Sequence, residues 1–263
     1  MIAVCIATYN HEAFIAQAIE SVLAQKCDEP VRIYIGDDAS TDGTQAICER
    51  YAALDERIIY IRREKNLGLV PNTLELYRRI MADECEYIAM LDGDDYWINE
   101  HKLQLQVDYL RTHPEVGFVH TAEQGQGTEL VPEGDLSRCY DLTGARQTNC
   151  TVLFRTALLH QVDLAELQSQ QFPIVDYPLY GLFAQQTLFG YIATPTAVWR
   201  VHESVSQPHR LTAQWHYRKE RLRMWHWLEK KYPGHFHFNP FYAKLWYIWQ
   251  FFYILFAQIK KKL

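Results

Sequence analysis

Cysteine patterns that build disulfide frameworks or metal sites are absent from this sequence. Its 263 residues include six cysteines, and none of them forms a CxxC pair or a spacing typical of metal ligands. Cys5 falls inside a predicted core strand, and the triplet Asn149-Cys150-Thr151 is only a weak glycosylation signal. We therefore expect reduced thiols in a cytosolic protein.

An excess of positive charge is also missing, both overall and at the start of the chain. The formal net charge is -6 at pH 7, which argues against a nucleic-acid-binding protein. Residues 1–7 lack the positively charged segment of a signal peptide and instead predict a first strand. Basic residues are concentrated in the last third, which suits an anionic membrane surface or a phosphate-bearing acceptor. The expected location is the cytoplasm, including the inner face of the cell membrane.

Apolar runs and helical periodicity alternate along the first half of the chain. Strands are predicted at residues 2–7, 31–36, 58–62, 86–91 and 116–121. The first predicted helix is capped by Asn10 or His11 and ends near residue 25, and the second follows the turn 40–43 and ends near residue 54. Two more helices are predicted at 71–81 and 99–112. Repeated strand–helix units are typical of an α/β fold, with a mostly parallel sheet flanked by helices. The polar stretch 123–147 predicts a mobile loop.

Two groups of carboxylates follow predicted strands directly, Asp37-Asp38 and Asp92 to Asp95. Because ligands bind at the carboxyl ends of parallel strands, both groups are expected at one edge of the sheet. Crowded carboxylates repel one another unless a cation or hydrogen bonds offset the repulsion. Oxygen ligands suit Mg²⁺ or Mn²⁺, and a diphosphate carries the charge that such a metal bridges. Gly93 is expected to permit a tight turn between the acids.

Six segments resemble, in the same order, the motifs of family 2 glycosyltransferases with the GT-A fold. They are residues 4–10, 35–44, 66–68, 92–95, 175–179 and 199–206. Each motif is weak alone, whereas six in order are specific. The resemblance covers about residues 1–206, which we expect to form the transferase domain, and leaves residues 207–263 as a helical extension.

The resemblance implies an inverting transfer of a sugar from a nucleotide-sugar to an acceptor hydroxyl. UDP-sugars are the commonest donors in such proteins, with GDP- and dTDP-sugars as alternatives. The implied acceptor is a saccharide or a lipid-linked saccharide, in polysaccharide or lipopolysaccharide biosynthesis. The implied metal is Mn²⁺ or Mg²⁺, bound by Asp94 and His202. Contacts to the nucleotide-sugar are implied for Thr8, Tyr9, Asn10, Asp38, Asp92, Gly93, Arg200 and His202.

Asp176 is implied as the base that accepts the proton of the acceptor hydroxyl. The acid that often precedes this residue in the family is Val175 here, so Asp176 is the only carboxylate of its motif. An ordinary aspartate is a weak base, so we expect burial or a nearby carboxylate to raise its pKa. A structural alternative, the N-cap of a helix, stays open.

The other candidate residues also have structural alternatives. Arg200 pairs either with a phosphate or with a carboxylate of the fold, and a lone histidine such as His202 is more often structural. The remaining alternatives are a helix cap for Asp38, solvated loop acids for Asp92 and Asp94, a cap for Asp95, a turn residue for Thr8, and an indirect role for Asp37.

Three other functions are disfavoured by particular residues. A sugar nucleotidyltransferase needs a glycine-rich phosphate loop after the first strand, and residues 7–11 contain no glycine. A glycosidase needs two carboxylates but neither a nucleotide pocket nor an acidic metal motif, so the two acidic groups disfavour this function. A non-catalytic carbohydrate-binding relative would be expected to lose one of the acids, and Asp92, Asp94 and Asp176 are all present.

The last third of the chain predicts two further helical segments. Residues 212–232 predict a basic amphipathic helix. Residues 241–259 are apolar and aromatic, and three lysines follow at 260–262. An in-plane helix with a basic anchor is favoured for 241–263. Packing on the catalytic domain or on a second subunit of a homodimer, and a transmembrane span, are the alternatives.

Overall fold

A computed structural model describes residues 1–124, 148–202 and 211–234. These residues fall into two compact units. The first unit contains residues 1–124 and 148–200, and the second contains residues 201–202 and 211–234. The predicted loop 123–147 and the domain boundary after residue 206 fall almost entirely outside the described residues, so both stay predictions.

Strand–helix units build the first half of the sheet, as the apolar periodicity predicts. The strands are β1 (Ile2–Thr8), β2 (Val31–Asp37), β3 (Ile58–Arg62) and β4 (Tyr87–Asp92). The helices between them are α1 (Ile15–Leu23), α2 (Thr44–Leu54) and α3 (Leu69–Ala82). These strands pair in parallel, with β1 between β2 and β4. Every residue of β1 is buried, as expected for a parallel strand covered on both faces.

The second half of the first unit converts this parallel sheet into a mixed one. Its strands are β5 (Tyr96–Trp97), β6 (Val116–Glu123), β7 (Val152–Arg155) and β8 (Leu188–Val198). Its helices are α4 (Lys102–Thr112), α5 (Leu164–Ser169) and α6 (Asp176–Phe183). The strand order is β3-β2-β1-β4-β7-β6-β8-β5. β7 runs antiparallel to β4 and β6, whereas β8 runs parallel to β6. The predicted mixed, mostly parallel sheet is confirmed.

An aromatic cluster fixes α6 against the second half of the sheet. Phe118 of β6 stacks on Phe189 of β8 with 4.1 Å between ring centroids, and Tyr180 of α6 meets Phe118 edge-on at 4.8 Å. Phe154 of β7 packs against Phe183 of α6 at 5.0 Å. Each such pair contributes about 0.5–1.5 kcal/mol beyond its buried area. The helix with the predicted base is therefore rigidly attached to the sheet.

Neither Asn10 nor His11 caps α1 with its side chain, contrary to the prediction. The helix begins at Ile15, and Phe14 before it makes no side-chain cap bond. The His11 carbonyl instead accepts the N–H groups of Phe14 and Ile15. Asn10 lies in the left-handed region at φ 55°, and its side-chain oxygen accepts the N–H of Thr41. Both polar side chains are therefore directed towards neighbouring loops rather than the helix end.

Lys102, at the start of α4, is completely buried, which is rare for a lysine. Its ammonium group donates to Gln106 Oε1 at 2.6 Å and lies 4.4 Å from the centroid of the Trp97 ring. Burial lowers the pKa of Lys102 from 10.5 to about 7. Between these values the unfolded chain binds more protons at this residue than the folded protein does. Its contribution to the free energy of unfolding therefore rises with pH across that window.

Replacing Lys102 by methionine is expected to remove this pH dependence. Methionine is similar in length but carries no charge, so removing the buried charge should raise the free energy of unfolding by about 1–3 kcal/mol near neutral pH. Loss of the hydrogen bond to Gln106 should offset about 1 kcal/mol of this gain. The gain should vanish towards the pKa of an unperturbed lysine, at about pH 10. Urea unfolding of both proteins across this pH range measures it. A stability difference that is constant with pH would contradict the prediction.

The second unit contains α7 (Leu211–Lys231), where the sequence predicts a basic helix. Met224, Trp225 and Leu228 are buried. Exposed basic side chains recur at helical spacing, at Lys219, Arg223, His226 and Lys230. In residues 1–124, 148–202 and 211–234, no helix combines the length and the apolar character that a bilayer span requires. The predicted membrane-contacting stretch 241–263 lies outside the described residues.

Candidate active site

The carboxyl ends of β1, β2 and β4 bring the two acidic groups to one edge of the sheet. Thr8 of β1 is in register with Asp37 of β2, and Ala7 is in register with Asp92 of β4. The loop after β4 then returns to β1, since the Gly93 N–H donates to the Ala7 carbonyl at 3.0 Å. The predicted convergence of the acidic groups is confirmed.

Gly93 lies closer to β1 than a larger residue could. A Cβ atom at this position would lie 2.6 Å from Thr8 Oγ1 and 2.8 Å from His11 Nδ1. Gly93 and Asp94 do form a turn, but the φ of Gly93 is not in the left-handed region. Glycine is therefore required at position 93 because a larger residue has no space there. The sequence had suggested a different reason, the backbone freedom that glycine gives to a tight turn.

The acids after β2 hold the neighbouring turns in place. Asp37 is fully buried and accepts the Tyr60 hydroxyl at 2.7 Å and both the N–H and the hydroxyl of Ser40. Asp38, which is 3% exposed, accepts the N–H groups of Leu67 and Gly68, each at 2.8 Å. This carboxylate therefore positions the turn 66–68.

Asp38 is not a helix cap, which excludes the structural alternative considered for it. The N-cap residue of α2 is Gly43, which has no side chain to bond the helix end. The Asp42 carboxylate accepts the N–H of Thr44 instead. A contact between Asp38 and the nucleoside stays a prediction.

The three predicted nucleotide contacts after β1 differ in their accessibility. Thr8 is buried, and its hydroxyl lies 3.2 Å from His11 Nδ1. Asn10 is committed to Thr41, as described above. Tyr9 is 41% exposed, and an exposed aromatic ring is suited to stacking on a base. Asn10 is exposed as well, so Tyr9 and Asn10 are more accessible to a nucleotide than Thr8.

Asn149 and Tyr180 hold Asp92 from the side of α6. The Asn149 side-chain nitrogen donates to both oxygens of Asp92 at 3.1 Å. The Tyr180 hydroxyl donates to the Asn149 side-chain oxygen at 2.8 Å. Because the hydroxyl must donate to oxygen, the amide nitrogen is left facing the carboxylate. A hydrogen-bonded chain thus joins α6 to the end of β4.

Burial and, after it, mutual repulsion raise the pKa values of the carboxyl groups at this edge. Burial, Asp94 and Asp176 raise the pKa of the Asp92 carboxyl well above its usual range, and the bond from Asn149 lowers it. Burial and the charge of Asp92 likewise raise the pKa of Asp95. Repulsion of this kind is what a bound cation relieves. It also shows that Asp176 lies near enough to Asp92 for their charges to interact.

Arg200 supports the loop that carries Asp94 and Asp95. Its backbone N–H donates to Asp95 Oδ1, and its guanidinium donates to the Asp94 carbonyl, each at 2.8 Å. The guanidinium also lies between the rings of Phe14 and Tyr96, with centroid distances of 4.8 and 4.7 Å. The guanidinium thus contacts the fold through the Asp94 carbonyl, whereas only the backbone N–H of Arg200 meets a carboxylate. A phosphate contact stays a prediction.

Asp176 is the first residue of α6 and is partly exposed. One of its carboxylate oxygens accepts the N–H of Tyr177 at 2.8 Å. The N-cap position itself is Val175, which makes no side-chain cap bond. Asp176 is thus held against the backbone of the first turn of α6. Its role as the base stays a prediction.

The residues at the end of β4 fit a hard cation that also binds substrate phosphates. In the part of the chain that the structure describes, no group of three or more His, Cys, Asp or Glu side chains is arranged to hold a metal. Mg²⁺-type sites, however, use one or two carboxylates together with phosphates and water. Asp95 Oδ2 is buried without a hydrogen-bond partner, which marks this loop as incompletely satisfied. His202 belongs to the second unit, so its predicted roles stay predictions.

Sequence reasoning missed three residues of this site. His11 directly follows the motif 4–10 and was considered only as a cap. Asn149 was noted only in a glycosylation-type triplet, and Tyr180 was not considered. The proximity of His11 to a loop more than eighty residues later could not be read from spacing, and Asn149 precedes a strand with little periodicity. Only the pairing of β7 with β4 brings Asn149 beside Asp92.

Loss of the Asn149 side chain is expected to destabilise the protein. Asn149→Ala leaves the partly buried Asp92 carboxyl and the Tyr180 hydroxyl without these partners, so the free energy of unfolding should fall by about 1–3 kcal/mol. Tyr180→Phe should cost about 1 kcal/mol, and the double variant should show a coupling of at least about 0.5 kcal/mol. Urea unfolding of the four proteins checks this. Strict additivity would contradict the hydrogen-bonded chain.

Comparison with protein families gives one match over the first part of the chain. The model described as Glycosyl transferase family 2 matches residues 3–159, more than half of the chain. Among curated relatives, the putative teichuronic acid biosynthesis glycosyltransferase TuaG of Bacillus subtilis is 33% identical over 110 residues, which are 42% of this chain and 42% of TuaG. The match spans less than half the length of the curated relatives.

Solved structures share the architecture over most of the chain. The mannosyltransferase PcManGT of Pyrobaculum calidifontis, solved with GDP-Man and Mn²⁺, has a TM-score of 0.64 at 17% identity and covers 84% of this chain and 63% of its own. S. aureus TarS 1–349, solved with UDP, has a TM-score of 0.59 at 19% identity and covers 85% of this chain and 64% of its own. At these identities the likeness concerns the fold, and it confirms the predicted GT-A-like sheet.

Proposed function

Because the chain belongs to glycosyl transferase family 2, we propose that it is an inverting, metal-dependent glycosyltransferase that moves a sugar from a nucleotide-sugar to an acceptor hydroxyl. The observation that carries this proposal is the convergence of the acidic groups at the ends of β2 and β4, with Asp176 of α6 close enough for its charge to contribute to the raised pKa of Asp92. Transfer requires an acidic metal-binding loop for the diphosphate and a separate carboxylate for the acceptor.

Each group of residues has a distinct task in the proposed reaction. Asp94, with His202 as its predicted partner, would hold the cation, which neutralises the charge that develops on the leaving diphosphate. Tyr9 would stack on the base. Asp176 would take the proton of the acceptor hydroxyl while that oxygen attacks the anomeric carbon. A single displacement of this kind inverts the anomeric centre.

Residues 1–206 form the transferase domain in this proposal, and a UDP-sugar is the favoured donor. TarS was solved with UDP and PcManGT with GDP-Man, so related folds accept different nucleotides. TuaG is named for teichuronic acid biosynthesis, which supports a saccharide acceptor in polysaccharide biosynthesis.

A panel of donors tests the proposed reaction. The full chain is incubated with UDP-, GDP- and dTDP-sugars, with and without Mn²⁺, and the released nucleotide is measured beside Asp94→Ala. Metal-dependent release from one donor, lost in the variant, is the expected result. Binding of a nucleotide-sugar without turnover, even with saccharide acceptors present, would favour a non-catalytic relative. Absence of metal-dependent nucleotide binding would overturn the proposal.

The same proposal places the protein at a membrane surface, with a lipid-linked acceptor. The exposed basic side chains of α7 supply positive charge in the second unit, and the basic stretch 241–263 is the predicted contact. Electrostatic attraction to anionic lipid is screened by salt. The chain should therefore sediment with anionic liposomes at low salt and be released at high salt. Equal recovery with neutral and anionic liposomes would contradict this placement.

A further inference from the structure

His11 faces the loop after β4 at residues 93–95, which we call the metal loop. The distance between the His11 imidazole and the Asp94 carboxylate of this loop is longer than a hydrogen bond. Its Nε2 atom lies 3.8 Å from Asp94 Oδ2, and the two side chains are each 18% exposed. Hydrogen bonds between nitrogen and oxygen fall at about 2.7–3.2 Å. Two ligands that are each about 2.1 Å from one cation lie about 3.0 Å apart when adjacent and up to about 4.2 Å apart when opposite. The separation of 3.8 Å lies between these two values, so both atoms can reach one cation placed between them.

The other ring nitrogen of His11 is already held in place. Its Nδ1 atom lies 3.2 Å from the Thr8 hydroxyl, and Thr8 is buried at the end of β1. When Nδ1 carries the proton and donates to this hydroxyl, the lone pair of Nε2 is directed at Asp94. Histidine ligands of metals show this arrangement, in which a bond at one nitrogen fixes the orientation of the other.

The backbone of the metal loop is fitted closely against this pair. A Cβ at Gly93 would lie 2.6 Å from Thr8 Oγ1 and 2.8 Å from His11 Nδ1. The carbonyl of the next residue, Asp94, is held by Arg200. Glycine at position 93 thus lets the Asp94 carboxylate come within reach of the imidazole, while Arg200 keeps the loop there.

We infer that His11 is a ligand of the divalent cation, together with Asp94. This inference rests on the proposed metal-dependent function and adds to it a protein ligand from the loop after β1. One carboxylate together with neutral imidazoles, from His11 and from the predicted ligand His202, leaves the ion with a net positive charge, which attracts the donor diphosphate. Phosphate oxygens and water complete the coordination. Because Mg²⁺ takes oxygen ligands, an imidazole favours a transition metal ion such as Mn²⁺.

Pulsed electron paramagnetic resonance of Mn²⁺ bound to the full chain tests the assignment. A ligating imidazole produces nitrogen modulation of the Mn²⁺ spin echo, which carboxylates, phosphates and water do not. We expect this modulation in the wild type, with Mn²⁺ alone and with Mn²⁺ and UDP. His11→Gln should reduce the depth of this modulation to what His202 contributes and should bind Mn²⁺ at least about 10-fold more weakly. The matched control is His101→Gln, since His101 is exposed beside Glu100 and lies outside the site.

Two further variants keep the result interpretable. His202→Gln should leave the His11 modulation in place. Thr8→Val should keep the modulation but weaken Mn²⁺ binding by about 10-fold, since the imidazole loses its orienting bond; this variant serves if His11→Gln fails to fold. Bound Mn²⁺ without nitrogen modulation, or modulation unchanged in His11→Gln, would overturn the assignment of His11 alone. If the wild type binds no Mn²⁺ with or without UDP, the proposed metal-dependent function fails as well.

Discussion

Replacing Asp176 by asparagine is expected to lower kcat by about 10²- to 10⁴-fold, the usual contribution of a general base. Asparagine preserves the shape of the side chain and can still accept the N–H of Tyr177, so α6 should begin at the same residue. The amide cannot take a proton from the acceptor hydroxyl. Because the proposed donor site lies at the ends of β1 and β4, the loss expected in kcat should not be accompanied by a comparable loss of donor affinity. A loss in kcat alone indicates an interaction made in the transition state.

Steady-state kinetics with the identified donor, together with titration calorimetry of UDP and Mn²⁺, measures both quantities. Asp163→Asn is the matched control, since Asp163 caps α5 through the N–H groups of Ala165 and Glu166 and asparagine caps helices equally well. That variant should retain wild-type kcat. If Asp176→Asn kept kcat within about 3-fold, well below the contribution of a base, another group would have to accept the proton.

Gly93→Ala is expected to weaken Mn²⁺ and donor binding by about 10- to 100-fold, a loss comparable to that of disturbing the support of a metal ligand. The added methyl group would lie 2.6 Å from Thr8 Oγ1, so either the loop or β1 has to move. Both movements displace Asp94 from His11. Overpacking should in addition cost about 1–3 kcal/mol of stability. Titration of Mn²⁺ and UDP beside thermal unfolding separates the two effects.

Gly190→Ala provides a control with similar crowding but no site. Its methyl group would lie 2.3 Å from a ring carbon of Tyr109, between β8 and α4 and away from the acidic loop. We expect this variant to unfold at a lower temperature and to bind Mn²⁺ as the wild type does. If both glycine variants weakened Mn²⁺ binding equally, the effect would reflect general destabilisation and not the geometry of the metal loop.

Several residues that the sequence predicts to contact the nucleotide-sugar also form hydrogen bonds that hold the fold. Asp38, Asn10 and Arg200 are each bonded to neighbouring backbone groups. A polar side chain at a crowded strand end is held by such bonds before any ligand arrives. Positioning and binding are therefore compatible roles, and the resemblance to a family identifies the residue without saying which role its side chain performs in this chain.

The amino-acid sequence by itself determined the order of the strands and helices in the first half and the edge at which the acids meet. Apolar runs and turn residues are local signals, and parallel strands align their carboxyl ends whatever the side chains are. Asp92 and Asp37 could therefore be placed on one edge from the chain order alone. The candidate base followed only from the resemblance, since the motif 175–179 has no periodicity of its own.

Only the tertiary structure decided which side chains face one another at that edge. Whether His11 is directed at Asp94, or Asn149 at Asp92, depends on the antiparallel return of β7 and on the space left by Gly93. β8 was not predicted either, because its partners β5 and β6 are distant in the chain. Local propensity acts over a few residues, whereas these contacts arise from packing between segments that the sequence separates by tens of residues.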